Sequence, residues 1–192
     1  MTRIVNIGEA LIDEITRPNS EPVEVVGGSM LNVAAGLTRL GHESELATWF
    51  GRDARGNKVR AHAEAAGVTL TPGSDGADFT TVAHANLDER GRATYEFDLS
   101  WDVPAVEDPD SVGHVHTGSY AVVLEPGADK VLAAVKRQAI RGTVSYDPNI
   151  RPALLGTPDE ARPHIEAIVA LADVVKASDE DLEWLYPGRP VE

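Results

Sequence analysis

A carboxylate at position 13, a Gly-Gly-Ser-Met-Leu-Asn run at 27–32 and an arginine at 151 are the groups whose chemistry stands out. Asp13 can accept hydrogen bonds from two neighbouring hydroxyls, the usual way a carboxylate holds a sugar. Gly27-Gly28 lets a ligand approach the backbone, and the amides that open the following helix are donors for it, with Ser29 and Asn32 adding side-chain polarity. Arg151 carries a planar guanidinium suited to two-pronged contact with a carboxylate or phosphate. Asp147 and Asn149 flank Pro148 at the end of an expected strand, a usual place for ligand groups in open α/β sheets. Each has a plainer reading: a solvated turn Asp, a tight glycine turn, a structural salt bridge, an Asp-Pro-Asn turn. The glycine spacing fits neither the phosphate-loop pattern nor the dinucleotide fingerprint, which puts a plain dinucleotide-binding domain last among the readings.

Positioning these groups falls to alternating strands and helices. Ile4 to Ile7 reads as a buried strand, Val23 to Val26 as a strand delivering the chain to Gly27-Gly28, and Leu31 to Leu40 as a helix stopped at Gly41. Glu45 to Phe50 reads as a strand, Asn57 to Ala66 as an Ala-rich helix and Gly67 to Leu70 as a return strand. Between Phe79 and Leu99 the texture changes to strands around the turn Asp88-Glu89-Arg90-Gly91, an antiparallel excursion. Strands at 114–116, 143–146 and 173–176 then alternate with helices near 128–140 and 160–171. Ser178 can cap one further helix, whose first turn is acidic. The Pro-rich end, Pro187 to Glu192, reads as a loop, so the chain is expected to stop mid-fold.

Length and composition narrow the class. With 192 residues and 42% hydrophobic content, the chain has enough apolar surface for one substantial core. Its net charge of −14, spread without a block of like charges, argues against a nucleic-acid partner. The absence of cysteine excludes disulfides and thiolate chemistry. No apolar run is long enough for a signal peptide or membrane span, so a cytoplasmic location is expected. The pair His114 and His116 shares a strand face and reads as structural rather than as metal ligands.

Gly8-Glu9 with Asp13, Gly27-Gly28 with Asn32, Gly41, and Gly51-Arg52-Asp53 with Gly56 stand in the order of the N-terminal signatures of PfkB-type, ribokinase-like carbohydrate kinases. His116 to Ser119, Asp147 to Pro152 and Val175 to Asp181 resemble the same family, especially its fructokinase and 2-keto-3-deoxygluconate kinase branches. The resemblance spans essentially the whole chain. It implies a layered α/β sheet of mostly parallel strands flanked by helices, with a small antiparallel β lid from segments about 14–26 and 78–100. Residues 1–192 would be the N-terminal portion of one such domain, incomplete at the C-terminus.

The activity implied is transfer of the γ-phosphoryl of ATP, with Mg2+, to a hydroxyl of a monosaccharide, fructose or 2-keto-3-deoxygluconate. Asp13, Gly27, Gly28 and Asn32 would hold the sugar, with Ser29 at a position that varies with substrate. Tyr95, next to Phe97 on the lid, would touch the sugar or pack the lid. Arg151 would meet a substrate carboxylate, Lys176 and Ser178 the nucleotide, and Asp181 the metal, where the family usually has Glu. Met30, where many members have a small residue, would make the pocket mouth narrower or differently shaped. The family's Gly-Ala-Gly-Asp turn, which carries the general base, has no counterpart in this chain. A homodimer through the lid is also implied. The alternative is a non-catalytic sugar-binding or regulatory module.

Overall fold

The computed structural model describes residues 3–88, 90–106 and 112–189. Ten strands and six α-helices alternate along them: β1 Arg3–Ile7, β2 Leu11–Thr16, β3 Val23–Gly27, α1 Ser29–Arg39, β4 Ser44–Ala47, α2 Ala54–Ala65, β5 Thr69–Leu70, β6 Val82–Leu87, β7 Ala93–Asp98, β8 Val112–Gly118, α3 Gly127–Gln138, β9 Thr143–Asp147, α4 Pro152–Leu155, α5 Pro158–Val169, β10 Val174–Val175 and α6 Asp179–Leu185. A short 3-10 helix, Ser119–Val122, follows β8. The elements expected from the sequence are present with shifted ends, and four were not foreseen: β2, the β8 extension to Gly118, the 3-10 turn and α4.

The main sheet runs β10-β9-β8-β1-β4-β5 and is parallel throughout. From β1 the chain steps outward to β4 and β5 on one side, then returns to β8 and steps outward to β9 and β10 on the other. The crevice between the carboxyl ends of β1 and β8 is therefore a topological switch point, where open α/β sheets place ligands. One face of the sheet packs Val5, Ile7, Val115, Val144 and Tyr146 against Val131 and Val135 of α3 and Ile165 and Ile168 of α5. Leu46 packs on the other face with Met30, Leu31 and Ala34 of α1 and Val59 of α2. Burying these aliphatic side chains contributes about 1.5–3 kcal/mol each.

The lid is a second, four-stranded sheet in the order β3-β2-β6-β7. It is mixed rather than wholly antiparallel: β2 pairs antiparallel with β3 and β6 with β7, while β2 and β6 are parallel. Asp13 is accordingly not a turn residue beyond the first strand, as a solvated Asp would be. It sits inside β2, whose acids interrupt the apolar alternation that would otherwise mark a strand. The β6–β7 connection is organised by Asp88, which accepts from the amides of Arg90 and Arg92 at 2.8 and 2.9 Å. Glu89 of the expected turn, and residues 190–192 of the Pro-rich end, lie outside the described residues.

Helix α2 begins three residues before the expected Asn57 because Asp53 caps it, accepting from the amide of Gly56 at 2.7 Å. The same carboxylate accepts from the amide and hydroxyl of Thr80 at 2.8 and 2.9 Å. Burial acts to raise Asp53, but these donors outweigh it and hold the group below the ordinary aspartate value. The Gly51-Arg52-Asp53 signature thus ties the start of a body helix to the residue that leads into lid strand β6.

Candidate functional site

A cleft of about 970 Å³ opens between the lid and the carboxyl ends of β1, β8 and β9. The strand register explains its lid wall. Val25 pairs with Asp13, Asp13 with Ala83, and Ala83 with Phe97, so these four residues form one row across the sheet and point to one face. Asp13 is the charged member of that row. Burial pushes its carboxyl up from the ordinary aspartate value, and the positive charge of Arg151 partly opposes the shift.

The body wall is built at the start of α1. Gly28, the N-cap, has φ 108° and no side chain to close the helix. A Cβ there would sit 2.8 Å from Cα of Ala10 and closer still to the carbonyl oxygen of Glu9, so glycine is required for the β3–α1 turn to lie against the β1–β2 turn. Glu9 supplies the missing cap from twenty positions upstream. Its Oε1 accepts from the Ser29 amide at 3.1 Å and pairs with the Ser29 hydroxyl. Asn32, one turn along, is exposed to the cleft.

Of the residues singled out from sequence for the sugar, Asp13, Gly28, Ser29, Asn32, Tyr95 and Arg151 all line this cleft. Gly27 lies behind them, paired with Leu11, and a Cβ on it would collide with the Asp13 carboxylate, so its smallness makes room for that group. Tyr95 is 55% exposed and stacks on Phe97 with ring centroids 6.4 Å apart. Arg151 donates to the carbonyls of Asn149 and Ile150 at 3.3 and 3.0 Å, which leaves its guanidinium at the cleft wall.

Met30 does not narrow the mouth. It is 1% exposed and packs beneath the site, where a Cβ on Gly118 would meet it at 3.3 Å and one on Gly8 would overlap it. Its bulk fills the space that two glycines leave open.

Lys176, Ser178 and Asp181 are not on the cleft wall. Lys176 pairs with Asp147 at 3.2 Å. Ser178 and Asp181 form a capping box on α6: the Ser178 hydroxyl accepts from the Asp181 amide, and Asp181 accepts from the Ser178 amide. The other Asp181 oxygen accepts from the Ile150 amide at 2.7 Å. The acid thereby fixes the loop that presents Asn149 and Arg151. Among the described residues no group of three or more His, Cys, Asp or Glu side chains could hold a metal ion. Asp181, the acid expected to meet the metal, has both carboxylate oxygens engaged by the Ile150 and Ser178 amides.

The cleft also gathers Glu9, Ser119, Tyr120, Asn149 and Glu180. Ser119 and Asn149 have φ of 56° and 40°. Non-glycine residues held there are strained and collect at functional sites, and these two cap the ends of adjacent strands β8 and β9. Asp-Pro-Asn in the sequence marked the second. Gly8-Glu9 and His116 to Ser119 stood among the family-like motifs, but no role was assigned to Glu9 or Ser119, because their roles depend on partners far along the chain. His114 and His116 share the Ser145 hydroxyl at 2.7 and 2.8 Å, and burial lowers the affinity of both rings for a proton, consistent with the structural reading.

A polar cleft at the switch point of a parallel sheet, roofed by a small β sheet that turns one carboxylate toward it, is the arrangement of a small-molecule site in an open α/β protein. A family profile described as "pfkB family carbohydrate kinase" matches residues 1–188, and the chain belongs to that family. It is 31% identical to a fructokinase of Klebsiella pneumoniae over 93% of its own length and 29% identical to a fructokinase of Rhizobium leguminosarum bv. trifolii over 94%. It spans 61% and 59% of those two proteins. Crystal structures of Vibrio cholerae fructokinase superpose with TM-scores of 0.81 in apo form and 0.79 in a double mutant bound to fructose, ADP and potassium ion. Both are 25% identical; the match covers 98% and 100% of this chain and 67% and 64% of theirs. The layered, mostly parallel sheet with its β lid expected from the sequence is the observed fold. No helix among the described residues is long and apolar enough to cross a membrane.

Proposed function

We propose that this chain is the sugar-binding part of an ATP-dependent carbohydrate kinase that phosphorylates a hydroxyl of a monosaccharide, with fructose as the favoured substrate. The observation that carries the reading is the row Val25-Asp13-Ala83-Phe97 facing the start of α1. It sets one carboxylate in an apolar roof opposite Ser29 and Asn32, a pattern that accepts hydroxyl hydrogens on one side and offers donors on the other. A roof of this kind excludes water, which competes with the sugar as phosphoryl acceptor. The fructokinase matches, and the fructose and ADP bound by the Vibrio protein, support fructose and ATP for this chain. Arg151 at the cleft wall favours a second substrate, 2-keto-3-deoxygluconate, whose carboxylate a guanidinium can clamp.

On this reading Asp13, Ser29 and Asn32 hold the sugar, and Lys176 and Ser178 stand on the nucleotide side. The metal and the general base come from elsewhere in a complete kinase. The 192-residue chain by itself then binds sugar without turning over ATP, which is also how a non-catalytic binding module would behave. A homodimer would form through the lid row Val23-Ile15-Ala85-Tyr95, whose outer members Val23 and Tyr95 are exposed.

Titration calorimetry with D-fructose and with 2-keto-3-deoxygluconate, beside an ADP-release assay, tests the assignment. Saturable binding of one of them without ADP release is expected. Failure to bind any monosaccharide in a panel of ketoses, aldoses and sugar acids would sink it.

A further inference from the structure

One buried acid of the cleft has a capping oxygen and a second oxygen that the cap does not use. Glu9 is 5% exposed and lies two residues past the end of β1, after Gly8. Its Oε1 meets both the amide and the hydroxyl of Ser29. Its Oε2 is shut off from solvent, and no donor reaches it in hydrogen-bonding geometry, although the Ser119 hydroxyl and the Glu9 amide lie near the carboxyl. An ionised carboxylate in that position would strand a charged oxygen in a dry wall. A neutral one leaves only a carbonyl-type oxygen unsatisfied, the cheapest orphan a buried carboxyl can have. For that to hold, the proton must lie on Oε1, where an acceptor is at hand, because an O–H on Oε2 would itself be an unsatisfied donor. Burial raises Glu9 above the ordinary glutamate value, against the opposing pull of the Ser29 hydroxyl, the amides of Glu9 and Ser29 and the nearby Ser119 hydroxyl.

We propose that Glu9 is a positioning residue that sets the polarity of the Ser29 hydroxyl: it stays neutral, donates its Oε1 proton to Ser29 Oγ, and so turns the serine's own hydrogen into the cleft as a donor. Oε1 keeps a lone pair for the Ser29 amide throughout. When Glu9 loses its proton to solvent, the roles reverse. Ser29 must then donate to the carboxylate, and only lone pairs face the cleft. A sugar oxygen that accepts from Ser29 in the first state meets an acceptor in the second. The inference rests on the reading of the cleft as a sugar site and adds a residue that selects which sugar oxygens can approach α1.

The charged or titratable groups that share the cleft with Glu9 are Asp13 from β2, Tyr95 from β7, Tyr120 from the 3-10 helix, Arg151 after β9 and Glu180 of α6. Tyr120 is buried, and burial together with the Glu9 charge keeps its phenol neutral far above the range in question. Asp13 is the group whose own titration could imitate the effect, so Asp13→Asn serves as the control background.

Two measurements on the chain as it stands test this. In the first, the Glu9 carboxyl carbon is followed by 13C NMR between about pH 4 and about pH 8, assigned by its loss in Glu9→Gln. It should keep the neutral-acid shift after the exposed glutamates have ionised, and titration together with them overturns the proposal. In the second, D-fructose affinity is measured over the same range. Wild type should weaken by roughly threefold to tenfold as pH rises through the Glu9 midpoint, the worth of one neutral hydrogen bond. Glu9→Gln should sit on the weak limb at every pH, since its amide oxygen must face the Ser29 amide and so accepts from the hydroxyl as the carboxylate would. Ser29→Ala should be weak and flat as well. The Asp13→Asn background should bind more weakly but keep the Glu9-dependent step. Wild type and Glu9→Gln sharing one pH dependence overturns the role of Glu9 while leaving the sugar site intact. Loss of fructose binding in wild type at every pH overturns the sugar reading, and this role with it, whatever the titration shows.

Discussion

Asp13→Asn should move binding and stability in opposite directions. Hydrogen bonds from sugar hydroxyls to an ionised carboxylate are worth about 1.5–3 kcal/mol, so the amide should weaken fructose binding roughly 10- to 150-fold. In the free protein the same carboxylate is flanked in its row by Val25, Ala83 and Phe97, and burial raises it. A carboxyl whose folded value lies above its unfolded one holds its proton more tightly when folded. Stability is therefore lost as pH rises from the ordinary aspartate value through the raised one. Asparagine fits the same strand position with nothing to ionise, so at neutral pH the variant should unfold at the same urea concentration as wild type or a higher one. Fructose calorimetry and urea unfolding, each near pH 5 and again at neutral pH, give both answers. Binding within about twofold of wild type, or destabilisation by more than about 1 kcal/mol, would refute the assignment of Asp13 as a ligand group set into an apolar roof.

Gly28→Ala should lower stability by about 1–3 kcal/mol, because φ 108° is closed to a side chain and the new Cβ meets the backbone of Glu9 and Ala10. For a chain of this size that is a fall of roughly 2–12 °C in Tm by scanning calorimetry, and an unchanged Tm would contradict the close approach. His84 bonds Glu14 and Asp98 through its two ring nitrogens at 2.8 and 3.1 Å, and Asp98 and then Glu14 raise its affinity for a proton. Its contribution is fully present below the ordinary histidine value and lost as pH rises through the raised one. His84→Gln should accordingly flatten the urea midpoint across that window. Asp181→Ala should destabilise the metal-free protein by more than Ser178→Ala does. The first strands the amides of Ile150 and Ser178, at about 1–3 kcal/mol per buried orphan, and the second removes one cap worth about 1 kcal/mol. If Asp181→Ala is harmless without magnesium, the capping account fails.

The α/β alternation was readable because most of its strands are β-branched runs bounded by turn residues, and α1 keeps a clean apolar stripe. Strand β2 was not, since Leu-Ile-Asp-Glu-Ile-Thr places an acid on each face: Asp13 toward the cleft and Glu14 toward Arg55 and His84. Both acids make sense only once β3, β6 and α2 are in place around them. The glycines at 27 and 28 were legible as a site because two adjacent glycines before a helix need a backbone reason. Ser119 was not, because its left-handed backbone is imposed by the end of β8 rather than by its own chemistry. Glu9 was visible as an acid beside a glycine, but what makes it distinctive is an unpartnered oxygen, and an absent partner leaves no trace in a sequence.

The two faces of the lid sheet divide the work. On the back, Arg55 bridges Glu14 and Glu24 at 2.8 and 2.7 Å, Lys58 reaches Glu24 at 2.6 Å, and His84 joins Glu14 to Asp98. These ties join β2 and β3 to helix α2 and link β2, β6 and β7 to one another, and most are partly exposed. Each is worth little by itself, and together they fix orientation more than they add stability. On the front, the alternation that sends those charges backward leaves Leu11, Val25, Ala83 and Phe97 around a single carboxylate. A one-residue slip of β2 would exchange the two sets, putting Glu14 against the cleft and Asp13 toward Arg55. The charged back therefore specifies the register that keeps Asp13 in the roof. It follows that charge reversal of Arg55, far from any sugar contact, should impair fructose binding through the placement of Asp13, and should do so more at low salt, where the misplaced charges are least screened.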